Sequence, residues 1–148
     1  MRLIGWKKYA SFVVAVVSIW LPSLALGVSH YDGVYVGTIE CDQIPGHTSG
    51  PLKTAFVLSI AAGRAQYERR HVLPPPGLGP TERGAGTVSS TGEVSVTGEA
   101  GDLTGGYEAT YRGQIDGKSF RLSGVQVWQL PNKANYQRPC TIALRASD

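Results

Sequence analysis

Three residues with chemically useful side chains stand at alternate positions of one segment. Tyr67, Arg69 and His71 are spaced two apart, and residues at that spacing in a β-strand point to the same side. A phenol, a guanidinium and an imidazole on one face could hold a ligand that has an anionic group and an apolar body. With the strand registers deduced below, the same end of the fold also receives Glu82, Tyr107, Gln126 and Trp128.

We expect these seven residues to line a ligand mouth. Arg69 and His71 would engage a polar or anionic group of the ligand. Tyr107 and Trp128 would stack on an apolar or sugar-like body. A purely structural interpretation stays open, in which Arg69 pairs with Glu82 at the rim of a filled fold and the aromatic rings are ordinary core. The two interpretations differ in whether the aromatic side chains enclose a space.

The sequence lacks the motifs of the common enzyme classes. It has no Gly-x-Ser-x-Gly, no His-Glu-x-x-His, no phosphate-binding Walker loop and no dinucleotide fingerprint after a strand. The three histidines are scattered, and the cysteines form no Cys-x-x-Cys pair. We therefore expect a non-enzymatic protein with no cofactor and no metal, and we keep an enzyme of unrecognised type as an alternative.

The N-terminal segment has the pattern of an export signal. A cationic start precedes an apolar run over 10–21, and Ala25 and Gly27 stand at the −3 and −1 positions of a small-residue cleavage site. We expect a signal peptide at 1–27 and a single mature domain at 28–148. An uncleaved membrane anchor is the alternative, but the run is shorter than the roughly 20 apolar residues that a spanning helix needs.

The predicted leader also accounts for the basic composition. The chain has 14 Lys and Arg against 11 Asp and Glu, and three of these cations (Arg2, Lys7, Lys8) but no acid lie in the leader, so the mature chain has 11 of each. A nucleic-acid binder needs a basic face to neutralise phosphates, and a neutral chain gives no reason to expect one. We expect a periplasmic or extracellular protein with no nucleic-acid partner and no membrane span after leader removal.

Two cysteines, Cys41 and Cys140, are present in the mature chain. An oxidising compartment and an even count predict one disulfide between them. It would close a loop of about 100 residues, which the chain-entropy model values at about 4–5 kcal/mol.

Apolar residues after Gly27 alternate with a period of two, which is typical of β-strands, and Gly- and Pro-rich breaks separate the segments. Eight strands are predicted, at 33–41, 52–60, 64–72, 82–89, 93–99, 106–115, 118–129 and 139–146.

Three tight turns fix the expected register. They are a two-residue loop at 62–63, a three-residue loop at 90–92 ending in glycine, and the Asp-Gly hairpin signal at 116–117. The pairs that follow are Ile60 with Ala65, Leu58 with Tyr67, Val88 with Val94, Gly86 with Val96, Gly113 with Phe120, Tyr111 with Leu122 and Ala109 with Gly124.

Tight and long connections alternate along the chain, which is typical of an up-and-down meander with all its long loops at one end. Cys41 ends the first strand and Cys140 begins the eighth, so a disulfide at the long-loop end would join these two strands. We therefore predict an all-β, eight-stranded antiparallel up-and-down barrel, whose interior would hold side chains or one small ligand. A two-sheet sandwich stapled by the same cysteines is the alternative fold.

Several segments carry a resemblance to known proteins: residues 31–41 (YDGVYVGTIEC), 82–88 (ERGAGTV), 138–144 (RPCTIAL) and the stretch around Trp128. With these, nearly all of the mature chain resembles the small exported all-β proteins that are common in bacterial genomes, and the resemblance implies fold and export only. In architecture the chain is similar to lipocalin-like barrels and to small periplasmic barrels that inhibit hydrolases.

The expected function is that of an exported binding module with a small molecule or a glycan at the long-loop end. The alternative is a periplasmic inhibitor or an envelope protein-interaction domain, whose loops insert into a partner protein.

Overall fold

The computed structural model describes residues 29–44, 50–72, 78–102, 105–129 and 134–147; among the strand residues, the side chains at 71–72, 78–79, 102 and 105 are not described. The predicted leader and its boundary at residue 27 lie outside these ranges. The described part consists of strands and their connections. The strands are β1 (Gly33–Cys41), β2 (Leu52–Ala61), β3 (Arg64–Val72), β4 (Leu78–Val88), β5 (Glu93–Asp102), β6 (Gly105–Gln114), β7 (Ser119–Gln129) and β8 (Tyr136–Ala146).

The eight strands form a closed antiparallel barrel in chain order, with β1 paired to β8. The predicted up-and-down barrel is confirmed, and the sandwich alternative is wrong. Cys41 and Cys140 are direct cross-strand partners in the β1–β8 pair and form a disulfide. Among the described residues, there is no helix of the length and hydrophobicity needed to cross a bilayer.

Two strands begin at least three residues earlier than predicted. β4 begins at Leu78 instead of residue 82, and β8 begins at Tyr136 instead of residue 139. The predicted first residue of β8 is Pro139. In the barrel Pro139 is an internal strand residue, paired with Val125, and its carbonyl accepts a hydrogen bond from the Asp42 N–H at 3.0 Å.

Two of the three turns have the predicted register. Ala62 and Gly63 both have positive φ, 50° and 71°, as a two-residue hairpin of the favoured hand requires. The expected pairs confirmed around the first two turns are Ile60 with Ala65, Val88 with Val94 and Gly86 with Val96.

The register predicted for β6 and β7 is wrong by two residues. Gly113 pairs with Leu122, not with Phe120, and the other two expected pairs shift in the same way. The connection is longer because Ile115 is buried and its N–H bonds to the Gly92 carbonyl at 2.9 Å instead of closing a two-residue hairpin. A slip of two keeps every side chain on its expected face.

The barrel wall is weakest between β2 and β3. Their pairing comprises only Ser59–Gln66, Ile60–Ala65 and Ala61–Arg64, whereas every other pair of neighbouring strands has six to ten paired residues. The predicted pair of Leu58 and Tyr67 does not form. Beyond Ser59 and Gln66, the two strands run to the long-loop end without a cross-strand register.

The interior differs between its two ends. At the turn end it is apolar, as in the edge-to-face contact of Tyr35 and Phe120, whose ring centroids are 5.1 Å apart. In the half nearer the long loops, charged and amide side chains are fully or almost fully buried. They are Arg69, Glu82, Gln126 and Arg138.

Candidate functional site

Glu82 is the centre of the polar half of the interior and has no exposed surface. Its Oε1 accepts a hydrogen bond from the Tyr67 hydroxyl at 2.6 Å, and its Oε2 accepts one from the Tyr107 hydroxyl at 2.5 Å. The Tyr111 hydroxyl is a longer donor to Oε1, at 3.3 Å. Because these phenols come from β3 and β6, their hydrogen bonds connect two separate strands of the wall to one carboxylate.

Arg69 supplies the positive charge beside that carboxylate. It lies directly across from Glu82 in the β3–β4 pair, and its Nη2 forms an ion pair with Glu82 Oε2. Nη2 also donates to the Tyr107 hydroxyl at 3.1 Å. Burial by itself lowers the pKa of Arg69, but the charge of Glu82 and the neighbouring phenols outweigh it and the pKa is raised. The guanidinium therefore stays charged inside the barrel.

The three phenols act as hydrogen-bond donors at any ordinary pH. Burial, followed by the charge of Glu82, raises the pKa of Tyr67, Tyr107 and Tyr111 far above its usual range. None of them is poised to ionise near neutrality, so the cluster has no ready general base among its phenols.

A pair of glycines makes room for Tyr67. Gly84 and Gly98 are cross-strand partners in β4 and β5. A Cβ at Gly84 would lie 2.1 Å from Tyr67 Cε1, and one at Gly98 would lie 2.1 Å from the Tyr67 hydroxyl oxygen. Only glycine leaves the phenol flat against the wall with its hydroxyl on Glu82.

The polar network continues to the aromatic residues nearest the long loops. Gln126 Nε2 donates to the Tyr111 hydroxyl at 3.0 Å, and Trp128 Nε1 donates to Gln126 Oε1 at 3.2 Å. The indole packs on the Tyr107 ring with centroids 4.4 Å apart and planes tilted by 33°. Trp128 is half-buried, so the outermost ring of the network is the one that solvent can reach.

Arg138 is a member of this cluster that the sequence reasoning missed. It is 3% exposed and pairs across the sheet with Gln126. Burial and then the charge of Arg69 lower its pKa. The strand was expected to begin at Pro139, which left residue 138 in a loop. Its even spacing from Cys140 was the signal that could have placed it on the inward face.

Residues 42–44 fold over the long-loop end of the barrel. Ile44 is 1% exposed. Arg138 Nε donates to the Asp42 carbonyl at 2.5 Å, and the Tyr136 hydroxyl donates to the Gln43 carbonyl at 3.2 Å. Two side chains of β8 thus hold the backbone of this segment beside the polar cluster.

The structure brings six of the seven predicted site residues into one connected network. They are Tyr67, Arg69, Glu82, Tyr107, Gln126 and Trp128. The seventh, His71, lies in β3 by its backbone, and its side chain is outside the described part. The phenols of Tyr67 and Tyr107 both reach Glu82. The described side chains therefore meet at the centre of this end, as the purely structural interpretation expects, and do not enclose a space there.

A concave feature lies on the outer wall. It is a groove of about 790 Å³ that crosses β2 to β6. Its lining includes the half-exposed Val57 and three acidic side chains, of Glu68, Glu99 and Glu108. Glu99 and Glu108 are direct cross-strand partners, an arrangement of like charges that is mildly destabilising.

No family model matches the sequence, and no curated protein matches it. Among solved structures, the chain is similar to the ywiB protein from Bacillus subtilis, with 11% sequence identity and a TM-score of 0.38 over 78% of this chain and 91% of that one. A likeness at this level gives no family. The fold and the site rest on the registers and contacts described above.

Proposed function

We propose that the protein is an exported, non-enzymatic binding module that holds a small molecule or a glycan at the long-loop end of its barrel. Export is supported by the predicted leader and by the Cys41–Cys140 disulfide, because disulfides persist in oxidising compartments.

The observation that carries the proposal is the one-sided polarity of the interior. Burying charged groups is costly, and a barrel that only had to be stable could be filled with apolar side chains at both ends. Here the buried charged residues all lie in the half near the long loops. Such an arrangement is typical of a binding site, where a few placed polar groups orient a ligand within apolar walls.

The aromatic pair of Tyr107 and Trp128 supports a stacking surface at the same end. Trp128 is fixed on one side by the Tyr107 ring and at its Nε1 by Gln126. A half-buried indole held in this way can offer its remaining surface to an apolar or sugar-like ligand at little cost in side-chain entropy.

The test is native mass spectrometry of the protein recovered from the periplasm after export, without reductant. The intact mass reports leader removal and disulfide formation. A bound small molecule that is lost on unfolding is the expected result. Trp128→Ala should release it, whereas Tyr31→Ala should keep it, because Tyr31 packs near Gly92 at the opposite, turn end.

The proposal fails if the folded protein carries no small molecule and also binds none from a panel of glycans and metabolites. A protein partner then becomes the better candidate, and one feature favours it independently: the groove on the outer wall, whose lining includes Val57, Glu99 and Glu108. Crosslinking in periplasmic extract with a photoreactive residue at position 57, against a control at position 145 outside the groove, would test that second function.

A further inference from the structure

The buried charge at the long-loop end is not balanced. Two guanidinium groups, of Arg69 and Arg138, are at least nine-tenths buried, and Glu82 is the single buried carboxylate among the residues whose burial is described. Buried charges in proteins are normally paired, because an unpaired one loses its hydration without compensation. The described interior therefore has an excess of one positive charge.

Arg69 shows where an acceptor is missing. Its Nη2 is engaged by Glu82 and Tyr107. Its Nε and Nη1 are buried, and no described residue is a hydrogen-bond partner of either. A buried N–H without an acceptor costs about 1–3 kcal/mol, and more on a charged group, so two such donors on one side chain indicate that an acceptor belongs beside them.

Arg138 is the buried cation that has no carboxylate partner among the described residues. Its side chain donates one hydrogen bond to them, from Nε to the Asp42 carbonyl. Within the described part of the chain it forms no ion pair, and a carbonyl oxygen does not neutralise its charge. Arg138 pairs across the sheet with Gln126, and Gln126 bonds to the Tyr111 hydroxyl that reaches Glu82, the partner of Arg69. The two cations therefore lie at the same buried end of the barrel, where their charges repel each other.

We propose that Arg69 and Arg138 together form a binding site for the oxyanion group, carboxylate or phosphate, of a small organic ligand. The inference rests on the proposed function and names the class of its ligand. Guanidinium groups bind both oxyanions through directed, charge-assisted hydrogen bonds. The anion neutralises the excess charge and accepts the free Arg69 donors, and the rest of the ligand extends toward Trp128.

No β2–β3 strand pair lies beside Arg69. Arg69 belongs to the part of β3 that lies beyond the last β2–β3 pair, Ser59–Gln66. The backbone of β2 therefore contributes no ladder hydrogen bonds next to it. Because Nε and Nη1 of Arg69 are buried, an anion reaches them when neighbouring side chains move aside, and this movement breaks no strand pair.

The experiment uses a pair of probes that share a shape and differ in charge, benzoate and benzamide. Trp6 and Trp20 lie in the predicted leader, so Trp128 is the single indole of the processed chain and reports binding by its fluorescence. Titrations are made at constant ionic strength on the oxidised protein, and inorganic phosphate is titrated in parallel by thermal shift. We expect benzoate to bind at least about tenfold more tightly than benzamide, a difference that corresponds to about 1.4 kcal/mol.

Three variants separate a ligand site from a structural arginine. Arg138→Met should abolish the preference for benzoate and should leave the protein without anion as stable as before or more so, because an unpaired buried charge is removed. Arg69→Met should also lose binding, although it disturbs Glu82 and is the less clean test. Arg70→Met is the matched control, since Arg70 adjoins Arg69 and is exposed on the outer face.

Two results would overturn the inference. If benzoate and benzamide bind equally and Arg138→Met leaves both unchanged, the site takes a neutral ligand, and the proposed binding function survives without the anion. If neither probe nor phosphate affects fluorescence or melting temperature, the two arginines are structural, whatever native mass spectrometry finds at Trp128.

Discussion

Arg69 and Glu82 face each other across the β3–β4 pair inside the barrel, and the wall repeats the same pair outside with the charges exchanged. One position away on each strand, Glu68 and Arg83 are also cross-strand partners, and Arg83 Nε lies 3.1 Å from Glu68 Oε2. The inner pair is almost fully buried, whereas more than half of each outer side chain is exposed. The two pairs are therefore an internal comparison of one interaction in two environments.

Removing the carboxylate should affect stability far more inside than outside. Glu82→Gln leaves Arg69 charged and without its anion, and we expect a loss of about 3–5 kcal/mol in the free energy of unfolding. Glu68→Gln should cost at most about 1 kcal/mol. Urea denaturation of both variants makes the measurement. Equal losses would mean that the Arg69–Glu82 pair is solvated in solution.

Alkaline pH should unfold the protein through its buried phenols. The pKa of Tyr67, Tyr107 and Tyr111 is raised in the folded state, whereas unfolded tyrosines titrate near pH 10. The folded state therefore holds these protons longer, so their contribution is complete below about pH 10 and is lost as the pH rises above it. These three protons contribute at most about 4 kcal/mol per pH unit. Burial also raises the pKa of Tyr35, which adds to the slope in the same direction.

Urea midpoints between pH 8 and pH 12 measure that slope. Tyr111→Phe removes one of these protons and should reduce the slope by up to about 1.4 kcal/mol per pH unit. A stability that is flat through pH 11 would contradict the burial of these hydroxyl groups.

Much of this architecture could be predicted from alternation and turn chemistry. The inward positions of Arg69, Glu82 and Gln126 followed from a period of two, which survived even the two-residue error between β6 and β7 because such a slip preserves the faces. Arg138 could not be placed in the same way. Sequence reasoning placed the boundary of β8 at Pro139, whereas in the closed barrel the strand continues on both sides of that residue.

The hydrogen bonds of the side-chain network could not be predicted from the sequence. Alternation places Tyr67 inside but not its hydroxyl on Glu82, which depends on the space that Gly84 and Gly98 leave on two other strands. Likewise, the unpaired nitrogens of Arg69 follow from the positions of Tyr107 and Glu82 in three dimensions. The alternation of residues predicts which face of the sheet a side chain lies on. Whether each polar atom finds a hydrogen-bond partner depends on packing across the whole interior.

Filling the space at Gly98 should displace Tyr67. Gly98→Ala places a Cβ 2.1 Å from the phenol oxygen, and overpacking of this kind costs about 1–3 kcal/mol. Gly50→Ala is the control, because no atom of the described residues lies within 4 Å of a Cβ there. Thermal melts of the two variants are compared. If Gly98→Ala melts no lower than Gly50→Ala, the close packing of Tyr67 against the wall is wrong.

Reduction should weaken the barrel at its β1–β8 joint. The Cys41–Cys140 disulfide spans 99 residues of sequence, and losing such a bond typically costs about 2–5 kcal/mol. Urea titrations of the protein with and without reductant should differ by that amount. The double variant Cys41→Ala, Cys140→Ala should match the reduced protein and show no response to reductant.

The disulfide and the short β2–β3 pairing together change which strands are the margins of the sheet. In a meander the first and last strands are the natural place for a barrel to come apart, but here they are covalently joined. The sheet therefore runs continuously from β3 through β8 and β1 to β2, and its two edge strands, β2 and β3, are joined by only three residue pairs. Local opening of the barrel should start between β2 and β3. Amide hydrogens of β2, such as those of Lys53 and Ala55, should then exchange before those of β8.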